Sequence, residues 1–271
     1  MTGPAPQMAA LLLAGRRDGA LDPLAEAAGV SHKCLVPVNG RPMIEYPLKA
    51  LAAVQELGEI IVVVEDSRAL EAVPLVSSLR TGGRLRFVAA EERLVDSIMA
   101  AGRQASFPLI ITTADSVLLT PSAISQLVAG AEKLGSDAAV ALASEQAVLT
   151  AHPDGQRRFY RFRCGGYSNC NLYWLRSAKA LAAAEVFRTG GQFAKKPLRI
   201  VQAFGLANLV RFRLGTYTLV QAFAQLSRRF GLQLTPVLVD EGQAAIDVDN
   251  FRSKAVAETI LAAEPRAFEP T

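Results

Sequence analysis

Short apolar runs of strand length alternate with helix-length segments through the first half of this 271-residue chain, and that alternation limits its fold more than any other feature. Residues 8–14 (MAALLLA), 59–64 (EIIVVV), 85–89, 108–113 (PLIITT) and 137–143 read as strands. The runs are apolar throughout rather than alternately, the pattern of strands covered on both faces. Residues 42–57, 67–79, 91–104 and 121–134 read as the helices between them, the last with Pro121 in its first turn and Thr120 as N-cap. The pattern predicts an α/β fold of three layers, with a doubly wound, mostly parallel sheet. Ligands of such sheets lie beyond the carboxyl ends of the strands. The positions to weigh are therefore 15–18, 65–66, 90–92 and Asp115.

Beyond residue 150 the alternation loosens. Residues 171–175 and 234–239 read as strands, 177–187 and 253–262 as helices, and 195–230 as two apolar helices carrying arginine. The stretch 157–213 holds twelve Lys or Arg against one acid, Glu185, which favours an anionic partner. With 51% hydrophobic residues and no low-complexity linker, the expectation is one domain over 1–271 with a basic, apolar helical lobe inserted. Three cysteines without framework spacing and two histidines argue for reduced thiols, a cytoplasmic setting and no zinc site. The start of the chain lacks the basic leader of a signal peptide, and no run is long and apolar enough to predict a membrane span.

Three stretches carry chemistry. After the first strand comes 13–19, Leu-Ala-Gly-Arg-Arg-Asp-Gly, followed by His32-Lys33-Cys34 and by 38–44, Val-Asn-Gly-Arg-Pro-Met-Ile. A glycine-bearing loop after a strand offers backbone N–H groups to phosphate, and Arg16, Arg17 and Lys33 supply the cations a triphosphate needs. Second, Asp115 ends a central strand, a costly place for a carboxylate without a counter-charge; Mg²⁺, which takes hard oxygen ligands, is the natural one. Third, Asp247 and Asp249 in 245–251 (AIDVDNF) are two residues apart on an extended segment and so share a side.

In these stretches the chain resembles the glycosyltransferase-A-like nucleotidyltransferases, and the Asp-Pro-Leu-Ala insertion at 22–25 looks closest to the molybdenum-cofactor nucleotidylyltransferase-like branch. The resemblance implies a Rossmann-like sheet that transfers a nucleoside monophosphate from an NTP to a small phosphorylated acceptor (a sugar, polyol or lipid head group) and releases pyrophosphate. It implies 1–150 as the nucleotide-binding half and 151–240 as the acceptor part. CTP is the preferred nucleotide, because several lipid- and polyol-directed relatives use it. Leu13, Ala14, Gly15, Arg16, Arg17, Lys33 and Ser97 are then nucleotide-binding, with Lys33, Arg16 and Asp115 the catalytic set. Asp115 is a ligand of Mg²⁺, completed by Asp249 as first choice and Asp247 as second. The family usually has Gly-x-Gly-x-Arg after the strand; Gly19 stands at the arginine position here, so Arg16 or Arg17 takes that role. Asn169, Lys195 and Lys196 are candidates for the acceptor.

The basic, apolar stretch 157–230 suits a greasy phosphorylated acceptor, peripheral contact with an anionic membrane, or a homodimer interface. No nucleic-acid recognition motif accompanies it, so nucleic acid is not an expected partner. A glycosyltransferase of the same fold, using an NDP-sugar, would carry Asp-x-Asp after the fourth strand, where this chain has Asp115-Ser116-Val117. A non-catalytic nucleotide-binding protein would share the altered loop.

Overall fold

The computed structural model describes residues 7–16, 21–181 and 217–263. Ten strands and eight α-helices lie among them. The strands are β1 (Met8–Leu13), β2 (Pro37–Val38), β3 (Arg41–Pro42), β4 (Leu57–Val64), β5 (Leu85–Ala89), β6 (Leu109–Thr113), β7 (Ala138–Ser144), β8 (Tyr160–Phe162), β9 (Gly165–Leu175) and β10 (Leu234–Leu238). The helices are α1 (Pro23–Ala27), α2 (Glu45–Ala53), α3 (Pro74–Thr81), α4 (Leu94–Gly102), α5 (Pro121–Lys133), α6 (Glu145–Ala151), α7 (Leu219–Phe230) and α8 (Phe251–Ala263).

The main sheet has the order β10-β7-β9-β6-β1-β4-β5, with β8 paired to β9. Its strands all run in one direction except β9, which is antiparallel to its neighbours β6, β7 and β8. Side chains of successive residues leave a strand on opposite faces, and the core divides accordingly. Ala10, Leu12, Ile60, Val62 and Ile110 join α2, α5 and α8 in one cluster. Ala9, Leu11, Ile61, Val63 and Ile111 meet α4 and the turn at Ala180-Leu181 in another. The three-layer, mostly parallel α/β fold follows from strands that are apolar on both faces.

The chain leaves β1 for β4 and β5 on one side and returns to β6 on the other. The order of strands therefore reverses between β1 and β6, and at such a reversal the loops diverge to open a crevice. The loop after β1 (Gly15, Arg16) and the residue after β6 (Asp115) flank it. Because β9 runs the other way, Asn169 and Ser168 sit opposite Leu142 and Ala143, at the same edge of the sheet.

Four elements differ from the sequence pattern. The helix expected from residue 42 begins at Glu45, because β2 and β3 form a hairpin turned by Asn39 and Gly40, both at positive φ. The helix expected over 67–79 is a 3-10 turn, Ser67–Leu70, followed by α3, which Pro74 starts rather than interrupts. The strand expected at 171–175 is the end of β9, which begins at Gly165. Of the two helices expected over 195–230, α7 is one, opened by a capping box between Thr218 and Gln221. The rest of that stretch, the end of the 177–187 helix, and residues 182–216 of the basic segment considered for a membrane or a second copy lie outside the described residues. No described helix is long and apolar enough to cross a membrane.

Candidate active site

Lys33 opens a short 3-10 turn, Lys33–Leu35, whose middle residue, Cys34, is buried in the core. The backbone around it is stapled, with Met43 N–H donating to Val36 O and Ile44 N–H to Cys34 O. The hairpin that follows is held from below by the Tyr46 hydroxyl on Val38 O (2.7 Å). Its turn reaches α8 through Asn39 Nδ2 to Glu258 O (3.0 Å). A lysine placed in this way cannot wander far from the start of α8.

At that start are the two late acids. Asn250 is the N-cap of α8: its Oδ1 accepts the Ser253 N–H (3.1 Å), while Ser253 Oγ accepts the Asn250 and Asp249 N–H groups. Val248 N–H donates to Asp115 O, tying the segment to the end of β6 (3.0 Å). Lys33 Nζ lies 2.6 Å from Asp115 Oδ2 and 3.1 Å from Asp249 Oδ1, joining residues 82 and 216 positions apart. Burial alone would lower the pKa of this ammonium, but the charges and hydrogen bonds of Asp115 and Asp249 outweigh it, and the net shift is upward. The lysine is therefore a fixed positive charge at neutral pH.

Asp247 takes a different place. Its Oδ1 accepts from Ser116 Oγ (3.1 Å) and its Oδ2 from Asn171 Nδ2 (2.6 Å). Burial first, then the charges of Asp115 and Asp249, lift its carboxyl well above the usual carboxylate range. Asn171 has φ of 48°, beside the register shift between β7 and β9, and that kink aims its amide at Asp247. Asn169 donates to Tyr173 OH (2.5 Å) and to Asn171 Oδ1 (3.3 Å), so it reaches the acids through Asn171.

The arrangement crowds three carboxylates around one ammonium. As they stand, no three carboxylates, imidazoles or thiols among the described residues close around a single ion. The donor set is nonetheless all hard oxygen with excess negative charge. The Lys33 ammonium already stands where a cation serves both Asp115 and Asp249. Those are the properties that a small divalent ion asks of a site.

On the other side of the crevice, Ala14 N–H continues the ladder to Val63 O, and Gly15 and Arg16 then turn over the end of β4. Arg16 Nη2 donates to Ser31 O (2.7 Å), and its backbone N–H donates to Glu65 Oε1. A Cβ on Gly15 would come within 3.1 Å of Ala90 Cβ and of the same Glu65 oxygen, so glycine is what allows the loop to lie this close. Ser97 is buried in α4, where its Oγ accepts the Glu91 N–H (2.8 Å) and shapes the loop after β5. Arg17, Lys195 and Lys196 lie outside the described residues.

Of the residues singled out from sequence, Lys33, Asp115 and Asp249 meet directly, and Asp247 joins them through the surrounding network. Arg16, Gly15, Leu13 and Ala14 line the strand end beside them. Glu65, one of the strand-end positions marked out in the sequence, belongs to these networks too, as do Ser116, Asn171 and His32, to which the sequence assigned no role. Ser116 follows Asp115 directly, and Asn171 lies two residues after Asn169, so both stood close to a named candidate.

A family model described as the MobA-like NTP transferase domain matches residues 14–231. No curated protein matches the chain. Among solved structures, a hypothetical transferase from Thermus thermophilus superposes with a TM-score of 0.76 at 23% identity, covering 92% of this chain and 99% of that one. CMP:2-keto-3-deoxy-manno-octonic acid synthetase complexed with CTP gives 0.59 at 14% identity, over 95% and 99%. The 4-diphosphocytidyl-2C-methyl-D-erythritol synthase of Anaerococcus prevotii gives 0.54 at 12%, over 95% and 96%. At these identities the likeness is one of fold.

Proposed function

Because the chain belongs to the MobA-like NTP transferase family, we propose that it transfers the nucleoside-monophosphate part of an NTP to a small phosphorylated acceptor and releases pyrophosphate. The observation that carries this reading is the Lys33 ammonium held between Asp115 and Asp249 at the crevice beside the Gly15–Arg16 loop. CTP is the nucleotide we favour, since two solved structures of this fold are of enzymes named for cytidyl compounds, one of them complexed with CTP.

A phosphate oxygen of the acceptor attacks the α-phosphorus, a new P–O bond forms, and the bond to the β-phosphate bridging oxygen breaks. A phosphate monoester is largely dianionic at neutral pH, so the attack needs no general base. The chain's task is positioning and charge neutralisation. Residues 13–16 line the nucleotide, Ser97 shapes the base-side loop, and Arg16, Arg17 and Lys33 balance the triphosphate charge. Asp115 with Asp249, or with Asp247, would hold Mg²⁺. When bound, the ion neutralises the charge that develops on the α-phosphate. Lys33, held between Asp115 and Asp249, would stand within reach of the phosphates and offer them its charge.

The acceptor belongs to the later half, with 1–150 binding nucleotide and 151–240 binding the acceptor. Asn169 offers an amide there, and Lys195 and Lys196 offer charge. The test is a pyrophosphate-release screen of the four NTPs against phosphorylated sugars, polyols and head-group alcohols, with and without Mg²⁺. Turnover with one acceptor that depends on Mg²⁺ supports the reading. Absence of pyrophosphate with every pair, from a chain that binds NTP, turns it into a nucleotide-binding protein.

A further inference from the structure

The crevice contains an anion of its own. Glu65, the first residue after β4, sends its carboxylate onto the Gly15–Arg16 loop, where Oε1 accepts the Arg16 backbone N–H. That loop is the one proposed above to receive phosphates, and a carboxylate and a phosphate oxygen compete for the same donor. Glu65 is also partly exposed, at 38% of its side chain, so it is not walled in where it stands.

Its neighbour supplies the other half of the argument. His32 is only 4% exposed, and its Nε2 is buried without a hydrogen-bond partner among the described residues. The Glu65 Oε2 atom lies 3.8 Å from that nitrogen, one short step beyond hydrogen-bond reach. On the far side of the ring, Ser31 Oγ meets Nδ1 at 2.9 Å. With the serine hydroxyl donating there, Nε2 carries the proton and faces the carboxylate as a donor. Leaving a buried donor unmet is costly, and the cost falls away if Glu65 moves toward it. The Arg16 side chain already holds Ser31 O, so loop, histidine and carboxylate form one connected group.

We propose that Glu65 is a stand-in for the triphosphate: its carboxylate takes the Arg16 N–H, yields it to an arriving phosphate, and passes to His32 Nε2. This rests on the nucleotide reading of the same site. No covalent step is involved; one acceptor replaces another on Arg16 N–H, and one hydrogen bond forms at His32. Glu65 is thus a positioning residue that keeps the loop in order and discourages weak anions.

The experiment is calorimetric titration of the full chain with inorganic tripolyphosphate, using wild type, Glu65→Gln, His32→Leu and the double variant, with melting curves as a check on folding. Glu65→Gln removes the competing charge but keeps the size, so binding should tighten about tenfold, the worth of a charge-assisted hydrogen bond over a neutral one. His32→Leu should weaken binding in the wild-type background and leave it unchanged in the Glu65→Gln background, because only a displaced carboxylate needs the histidine. Should His32→Leu fail to fold, the Glu65→Gln arm decides alone. Wild type that binds tripolyphosphate no less tightly than Glu65→Gln overturns the stand-in and leaves the nucleotide reading intact. Failure of every variant to bind tripolyphosphate or any of the four NTPs overturns both.

Discussion

At the scale of single residues, the site is a balance of charges that no member can leave unnoticed. Lys33 answers Asp115 and Asp249, and nothing neutral of its length can do so. Lys33→Ala and Asp115→Asn are each expected to lower kcat/KM about a hundredfold or more in a pyrophosphate-release assay, the usual cost of removing a preorganised charge. Asp247 offers a test of opposite sign. Its folded pKa is raised above the unfolded value of about 3.9, so the metal-free fold loses stability as pH climbs through the interval between the two. Asp247→Asn should raise the melting temperature of the metal-free protein near pH 8, flatten that decline, and abolish Mg²⁺-dependent turnover. A melting temperature that stays put or falls argues against the charge crowding described here. Cysteine reactivity is a third residue-scale measure. Cys164 is exposed, and despite some desolvation its thiol is lowered by the Leu219 N–H, the Tyr167 hydroxyl and Arg163. Burial pushes Cys34 up to about 12 and Cys170 higher still. Iodoacetamide should therefore alkylate Cys164 well before Cys34 or Cys170 in the native chain, as peptide mass spectrometry would show.

At the scale of elements, what could be read in advance depended on whether the deciding signal was local. The buried acid after β6 and the acidic pair before α8 were legible, because a carboxylate at a strand end or a helix start needs a reason to be there. The hairpin of β2 and β3 has a local signal too, Asn39-Gly40, but Pro42 just after it carries the competing signal of a helix start, and the turn wins. The direction of β9 was not legible: a run apolar on alternate residues looks the same either way along a sheet. With it went the role of Asn171, whose aim depends on a kink set by the register of two neighbouring strands. The contact of Glu65 and His32 with the Gly15–Arg16 loop and its surroundings was hidden for the same reason, since it spans the loops after β1 and β4 and the turn before Lys33. The N-cap of α8 belongs to this scale. Asn250→Ala should cost about 1 kcal/mol in denaturant unfolding. It should also weaken the Mg²⁺ dependence of turnover, because Ser253 holds the Asp249 and Asn250 N–H groups together. A variant of unchanged stability would mean the cap bonds count for little.

At the scale of the whole molecule, the sheet is scaffold, and the proposed site lies in the crevice at its strand-order reversal. Both flanks of that crevice are loops, and the rest of the chain fixes their separation. A ligand that joins the flanks should therefore stabilise the entire fold. Mg²⁺ with the preferred NTP at a hundredfold excess over Kd should raise the melting temperature by about 5–10 °C, and chelation by EDTA should remove most of the gain. A shift that survives EDTA would place the nucleotide without the metal.

One fastening described above has a bearing on synthesis. Asn39 grips Glu258 of α8, and Asp249 meets Lys33 only once α8 has docked. While the chain is still growing on the ribosome and residues past 250 have yet to emerge, Lys33 has one acid to face instead of two. On the proposed function, competence would then arrive late and in a single event, and a half-made polypeptide would turn over no triphosphate.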